Sequence, residues 1–158
     1  MRAQRHGRRI MMTPGERDAF LGAQRTCRVA TVSADGRPHV TPLWFAWDGS
    51  ALWLYSIVRS RRWAELRVDP RVAVVVDAGE DYGDLCGVEV TGSVEPVGEA
   101  PRTGAEPVPE LETVEKAFAL KYGFGGQMFH DGRHAWLRIR PETLTSWDFR
   151  KLGGVFRP

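Results

Sequence analysis

Residues 27–58 decide the fold and read CRVATVSADGRPHVTPLWFAWDGSALWLYSIV. Apolar and polar residues alternate along much of this stretch, which is typical of β-strands with one buried face. Asp-Gly pairs at 35–36 and 48–49 interrupt the pattern, and such pairs supply the positive φ angles of tight hairpin turns. The stretch therefore predicts three antiparallel strands in a meander, at 27–33, 37–47 and 51–58.

The remaining elements lie on both sides of this stretch. Thr13, Pro14 and Glu16 form the start of a capped helix that ends near residue 25. Ser60 can cap a short helix over 61–68, and apolar spacing predicts an amphipathic helix at about 110–122. Further strands are predicted at 72–77, 88–95, 134–140 and 143–149.

The order of these elements excludes a doubly wound parallel sheet, because the helices do not alternate regularly with the strands. Closure of an antiparallel sheet removes its exposed edges. We therefore predict a mainly β fold with flanking helices, a six-stranded antiparallel split barrel formed by one domain over 13–158. Residues 1–12, which include four arginines, are expected to be a flexible basic tail.

Composition narrows the classes of function. The chain has 158 residues, of which 42% are hydrophobic and 27% charged, and its net charge of +2 is too small to indicate a nucleic-acid partner. Its longest apolar runs, 72–76 among them, are far short of the ~20 residues of a membrane span. No apolar segment follows the basic N-terminus, so we expect a cytoplasmic protein without a signal peptide. Cys27 and Cys86 lie in apolar strands and are expected to be buried thiols.

Common catalytic signatures are missing from the sequence. It has no G-x-S-x-G motif, no Walker loop, no G-x-G-x-x-G after a strand and no C-x-x-C. The four histidines, at 6, 39, 130 and 134, lack metal-ligand spacing, so no metal site is predicted. We identify no catalytic side chain.

Residues 55–62, YSIVRSRR, carry the most informative pattern. A strand ends here, Ser60 caps the next helix, and Arg59, Arg61 and Arg62 lie within four positions. Helix N-termini attract anions, and arginine forms forked, charge-assisted hydrogen bonds that suit phosphate. The segment predicts a phosphate site, with a solvated basic helix start as the alternative.

Two further segments suggest that the protein binds a flat, ring-shaped ligand. In the first, Pro42 interrupts the strand 40–45, which leaves backbone groups available beside an apolar wall; a plain core strand is the alternative. In the second, at 146–152, Trp147 lies close to Arg150 and Lys151, so that an indole can stack on a ring while cations neutralise an acid. A packed tryptophan with a solvated basic end is the alternative there.

Together these segments resemble the pyridoxamine 5′-phosphate oxidase-like split-barrel superfamily, and most of all its flavin/deazaflavin oxidoreductase branch. The resemblance covers about residues 13–152. It rests on ATVSADGRP at 30–38, on the stretch from Ser60 to Leu66 that continues to DPRV at 69–72, and on SWD at 146–148 followed by RKL at 150–152.

The resemblance implies a homodimer with cofactor sites shared between subunits. Strand 40–45 would lie along the ring, Tyr55 and Ser56 would contact the ribityl chain or phosphate, and the partner subunit would add residues from its C-terminal segment. Site residues implied by the resemblance are Val40, Thr41, Pro42, Leu43, Trp44, Phe45, Tyr55, Ser56, Ser60, Arg61, Arg62, Trp147, Arg150, Lys151 and Arg157.

Two departures from the family pattern bear on the cofactor. The Arg-Leu-His-Asp-Arg ending that recognises the substrate in true oxidases is replaced by RKLGG at 150–154. Gly87 stands where the oxidase has a glutamine that touches FMN. The resemblance therefore implies an oxidoreductase that binds the deazaflavin F420, with FMN as second choice, and passes hydride to a small organic substrate. A non-catalytic binder of flavin, deazaflavin or haem is the alternative, with His39, His130 or His134 as haem ligand.

Overall fold

The computed structural model describes Met1, Gln4 and residues 7–153. Within these residues the helices are α1 (Pro14–Ala23), α2 (Arg61–Val68) and α3 (Pro109–Tyr122). The strands are β1 (Cys27–Val32), β2 (Pro38–Leu43), β3 (Phe45–Trp47), β4 (Leu52–Ile57), β5 (Arg71–Ala78), β6 (Cys86–Val97) and β7 (His134–Asp148). Short 3₁₀ turns occupy Tyr82–Asp84 and Phe149–Leu152.

One antiparallel sheet contains all seven strands, in the order β2-β1-β5-β6-β7-β4-β3. Its two edge strands, β2 and β3, are separated in sequence by Trp44 alone. Because a residue spans at most about 3.6 Å, the two edges must lie close together, and the sheet curls into a barrel that is split between them. The predicted mainly β split barrel with flanking helices is confirmed.

The predicted meander is wrong at its second strand. Residues 38–43 pair with β1, but the chain changes neighbours at Trp44, and residues 45–47 pair with β4 instead. This change of partner divides one predicted strand into two. The sheet has seven strands, one more than the predicted six. Pro42 lies in an edge strand, as predicted, where a missing N–H does no harm.

The last two predicted strands form the single strand β7. A bulge at Glu142 joins them, because the pairing passes from Thr91–Thr143 directly to Gly92–Pro141. A Cβ atom at position 92 would lie 2.6 Å from the Arg140 carbonyl oxygen, so only glycine fits opposite the bend.

Two apolar clusters stabilise the barrel. The inner cluster fills the barrel, and its fully buried members include Val29, Phe45, Leu54, Val74, Val88 and Ile139. The outer cluster lies between the sheet and α3 and includes Trp53, Tyr55, Val114, Phe118, Tyr122 and Trp136. Both faces of β4 are therefore buried, which makes this strand the wall between the two clusters.

The Tyr122 hydroxyl fixes the point where the chain crosses from β2 to β3. It accepts a hydrogen bond from the Phe45 N–H at 3.0 Å and lies 2.7 Å from the Arg25 carbonyl oxygen. The Trp44 ring stacks on the Tyr122 ring at 4.1 Å, and the Arg25 guanidinium lies over both rings. The crossing is thus bound to α3 by both backbone and aromatic contacts.

Some residues of the expected tail are hydrogen-bonded to β7. The Met12 N–H donates to the Ser146 hydroxyl at 3.1 Å, and the Asp148 N–H donates to the Ile10 carbonyl at 2.7 Å. The Gln4 side chain makes two further bonds with the Ser146 backbone. The flexibility of residues 1–12 stays a prediction.

Cys27 and Cys86 are buried free thiols, as predicted. In the described part of the chain, no helix has the length and apolar character needed to cross a membrane. Residues 1, 4 and 7–153 also contain no group of three or more His, Cys, Asp or Glu side chains that could hold a metal ion.

Candidate functional site

Strand β2 has two chemically different faces. His39 and Thr41 point inward and reach side chains of α2. Pro38, Val40 and Pro42 point outward, and Val40 is 63% exposed. The edge strand therefore presents an apolar strip outside and polar contacts inside.

The N-terminus of α2 holds a buried arginine. The Ser60 hydroxyl caps the helix by accepting from the Trp63 N–H at 3.1 Å, which leaves the N–H groups of Arg61 and Arg62 without intrahelical partners. The Arg62 guanidinium donates to the Ser56 hydroxyl at 3.1 and 3.3 Å and to the Thr41 hydroxyl at 2.6 Å. Only 7% of Arg62 is exposed, and burial lowers its pKa.

Two N–H groups of the Arg62 guanidinium make none of these hydrogen bonds. A guanidinium carries five N–H groups, and three of them make the bonds just described. The N-terminus of α2 therefore offers two kinds of donor for the predicted phosphate site, the Arg62 guanidinium and two backbone N–H groups. The structure brings together the predicted residues Thr41, Ser56, Ser60 and Arg62.

Arg61 contributes less charge than the sequence suggested. Its side chain is 59% exposed and pairs with the buried Glu65 at 2.7 Å. Glu65 also accepts from the Thr31 hydroxyl at 2.5 Å and lies 3.0 Å from His39 Nδ1. The Thr31 hydrogen bond, aided by Arg61 and His39, lowers the pKa of Glu65 to about 2, although burial acts in the opposite direction. The carboxylate is thus ionised and offsets one arginine.

Sequence reasoning missed the Thr31–Glu65–His39 contacts. The spacing of Arg61 and Glu65, four apart on a helix, predicts their ion pair. The other two partners lie on β1 and β2, and only the packing of α2 against those strands brings them within reach.

Tyr55 and Ser56 lie on opposite sides of β4, because successive side chains alternate across a strand. Ser56 contacts Arg62, whereas Tyr55 belongs to the outer cluster and stacks on His134 at 4.8 Å. The resemblance implied that both side chains touch one part of the cofactor. The structure separates them by the thickness of the sheet.

The predicted ring-binding segment is also divided. Phe45 is fully buried in the barrel, and its N–H is bonded to Tyr122, so its side chain cannot contact a ligand. Leu43 and Trp44 instead line a cavity on the α3 side of β4, where Trp44 is 41% exposed. Val40 and Pro42 remain on the outer strip of β2.

The C-terminal site residues have partners other than Arg62 within one chain. Trp147 packs over Gly87, where a Cβ atom would approach its ring to 2.4 Å. Arg150 forms an ion pair with Asp148 at 2.8 Å, and Lys151 pairs with Glu16 at 2.5 Å. Arg157 lies outside the described residues.

Strand β7 links the two regions. Ser56 pairs with Ala135 near one end of β7, and Trp147 lies twelve residues further along it. Gly87, the partner of Trp147, alternates with Cys86 and Val88, which belong to the inner cluster, so Trp147 lies on the outer face of the sheet. The hydrogen bonds of Arg62 go to Thr41 and Ser56 instead.

The fold agrees with the comparison to known proteins. The sequence model of the pyridoxamine 5′-phosphate oxidase family matches residues 13–148. The chain belongs to the pyridoxamine 5′-phosphate oxidase family. No curated protein matches the chain.

Solved structures of similar proteins share this fold. A conserved hypothetical protein from Mycobacterium tuberculosis is 31% identical, with a TM-score of 0.77 over 95% of this chain and 93% of that one. An F420 reductase is 22% identical, with a TM-score of 0.60 over 80% and 94% of the two chains. A FAD-binding protein from Mesorhizobium loti is 24% identical, with a TM-score of 0.63 over 86% and 93%. The last two likenesses support the fold alone.

Proposed function

We propose that this member of the pyridoxamine 5′-phosphate oxidase family is an oxidoreductase that binds the deazaflavin F420 between two copies of the chain. FMN is the second choice. Hydride transfer to a small organic molecule is the chemistry that such a cofactor supplies when bound. The observation that carries the proposal is the buried Arg62 guanidinium, held by Thr41 and Ser56 at the N-terminus of α2.

An anion fits this position on electrostatic grounds. Arg62 has two N–H groups left, and the backbone N–H groups of Arg61 and Arg62 point out of the first turn of the helix. Charge-assisted hydrogen bonds of this kind contribute roughly 1.5–3 kcal/mol each. Burial reduces screening by salt, so that the charge acts at nearly full strength.

The charge balance favours a phosphodiester over a phosphomonoester. Glu65 offsets Arg61, which leaves Arg62 as the buried cation that faces the ligand. A diester, as in F420, carries a single negative charge, whereas a monoester, as in FMN, carries about −1.5 to −2 at pH 7. One uncompensated buried cation matches the diester.

The outer strip of β2 supplies the apolar surface for a ring. Pro38, Val40 and Pro42 are exposed on a strand whose inner face is already bonded to α2. We infer that the ring lies against this strip and that a second subunit covers it. The family resemblance assigns Trp147 to the partner's side of the site. Within one chain its ring packs over Gly87 rather than against Arg62, which supports the same arrangement.

The protein's own residues then bind and orient the cofactor, and they do not themselves take part in the reaction. Arg62, Ser60 and the α2 N–H groups hold the anionic end, and the β2 strip with the second subunit excludes water from the ring. We assign no general acid or base.

Titration of the purified protein with F420, FMN and haem, followed by fluorescence and absorbance, tests the cofactor. We expect F420 to bind at least tenfold tighter than FMN or haem.

The Arg62→Lys variant tests the phosphate site. It keeps a buried cation but loses the forked guanidinium, and we expect it to weaken F420 binding about tenfold. Arg67→Ala is the matched control, because it removes an exposed arginine from the last turn of the same helix. Equal affinity of the wild type, Arg62→Lys and Arg67→Ala for F420 would contradict the proposed phosphate site.

Sedimentation velocity tests the interface. Val40→Glu places a charge on an exposed position, so the fold should be retained. We expect the variant to sediment as a monomer and to lose F420 binding. A wild-type monomer that binds F420 would show that the second subunit is not needed.

A further inference from the structure

Arg59 is the arginine of the 55–62 segment that the proposed phosphate site does not use. It precedes the Ser60 cap, in a turn closed by the hydrogen bond from the Ser60 N–H to the Ile57 carbonyl oxygen at 3.0 Å. Its side chain is exposed and lines a cavity of about 490 Å³ beyond the end of β4. Arg133, which is also exposed, lines the same cavity just before β7 begins. The two cations therefore share one cleft at this end of the barrel.

Neither guanidinium forms a hydrogen bond or an ion pair with the residues that the structure describes. The carboxylates of the neighbouring loops have other partners. Asp131 accepts from the backbone N–H groups of Arg133 and His134 and holds the His134 ring at 2.6 Å, while Glu99 pairs with Arg102. Like charges in one cleft repel each other, and an anion bound between them would remove that repulsion.

Backbone hydrogen bonds fix the walls of the cleft. The Val58 N–H donates to the Arg133 carbonyl oxygen at 2.9 Å, which joins the segments that carry the two arginines. The Arg102 N–H donates to the His134 carbonyl oxygen at 2.7 Å, which holds the neighbouring Pro101 at the start of β7. The cleft is thus formed before a ligand binds, and such preorganisation lowers the entropy cost of binding.

Size and charge together indicate the class of ligand. The volume is about three times the ~150 Å³ that holds benzene, so an organic body fits beside the charged groups. Ile57, Val58 and Pro101 supply apolar surface for that body. Guanidinium groups bind carboxylate and phosphate through forked, charge-assisted hydrogen bonds.

We propose that this cleft binds a small organic dianion, with one carboxylate or phosphate group for Arg59 and one for Arg133. The anionic groups supply the charge that the loops of the chain do not, and the apolar surface receives the body that joins them. The site uses none of the contacts of Arg62, and it does not depend on the proposed cofactor.

Three probes with the same ring and different charge test the proposal. Isophthalate carries two carboxylates, benzoate carries one, and isophthalamide carries none. Isothermal titration calorimetry without cofactor measures their binding. We expect isophthalate to bind at least tenfold tighter than benzoate and isophthalamide to bind weakest, because each charge-assisted contact adds affinity. Raising the salt to about 0.5 M should weaken isophthalate more than benzoate, since salt screens each exposed charge.

Matched arginine variants test the two contacts. Arg59→Gln and Arg133→Gln each remove one cation and keep a polar side chain at an exposed position. We expect each variant to bind isophthalate about tenfold more weakly than the wild type, close to the affinity for benzoate. Arg67→Gln makes the same change at an exposed position of α2 outside the cleft and should alter neither affinity.

Four results would overturn the proposal. Failure of the wild type to bind isophthalate would show that the cleft does not accept a dianion. Equal affinity of the wild type, Arg59→Gln and Arg133→Gln would exclude the two contacts. Equal binding of isophthalamide and isophthalate would assign binding to the apolar surface alone. Displacement of isophthalate by F420 would assign the cleft to an acidic group of the cofactor instead of a separate ligand.

The Arg62→Lys variant keeps this proposal distinct from the proposed function. We expect it to bind isophthalate as the wild type does while it binds F420 more weakly. If F420 fails to bind the wild type, the proposed function is wrong, and the affinities for isophthalate still decide whether the cleft binds a dianion.

Discussion

Removal of the Tyr122 hydroxyl should destabilise the fold, because this hydroxyl bonds the backbone on both sides of the sheet crossing. In Tyr122→Phe the Phe45 N–H loses its acceptor at 3.0 Å, and a carbonyl of Arg25 or Phe45 loses its donor. Two net hydrogen bonds of about 0.5–1.5 kcal/mol each, one of which leaves a buried N–H unpaired, give a loss of about 2–3 kcal/mol. For a chain of this length the loss corresponds to a fall in Tm of about 4–12 °C.

Tyr55→Phe is the matched control, because it removes the same atom from the same apolar cluster. Its hydroxyl has no partner among the described residues, so the change should cost nothing and can raise the free energy of unfolding by up to about 1 kcal/mol. Urea unfolding at one protein concentration, with equal m-values, measures both variants. Equal losses in the two variants, or a loss below about 0.5 kcal/mol in Tyr122→Phe, would refute this reasoning.

Two further predictions concern stability. Gly87→Ala should lower the free energy of unfolding by about 1–3 kcal/mol and shift the tryptophan emission, because its Cβ would lie 2.4 Å from the Trp147 ring and 2.9 Å from the Val76 carbonyl oxygen. Gly22→Ala has open space within α1 and should instead raise the free energy of unfolding by about 0.5–1 kcal/mol. Urea unfolding compares the two variants. The pKa of Glu65, about 2, lies below its unfolded value of 4.5, so its contribution to stability is present above pH 4.5 and is lost as the pH falls toward 2. Unfolding curves of Glu65→Gln should therefore depend less on pH in this window than those of the wild type, and parallel curves would contradict the assignment.

Local sequence signals predicted most elements because each carries its own chemistry. The Thr13–Glu16 capping box, the Ser60 cap and the apolar spacing of α3 all mark helices that the structure contains. The same reasoning failed at Trp44. Alternation has the same period on both sides of this residue, and it does not record which neighbouring strand is paired.

The candidate site was harder to predict because its contacts are long-range. Ser56, Ser60 and Arg62 belong to one short motif, but Thr41, 21 residues before Arg62, is joined to it only by the packing of α2 against β2. Adjacent positions in a motif also suggested one role for Tyr55 and Ser56, whereas the pleat sends them to different clusters. The hydroxyl of Tyr122 gave no signal at all, since its partners lie 77 and 97 residues away.

The edge strand β2 connects the fold to the proposed function. An exposed sheet edge is a hazard that proteins usually blunt with charged residues, proline or a covering element. Here the inner face of β2 is bound to α2 through His39 and Thr41, while its outer face shows Pro38, Val40 and Pro42 without a charge among them. The prolines prevent full pairing with another strand, yet they leave the strip apolar. Such a strip suits a flat ring covered by a second subunit better than it suits either open solvent or an added strand.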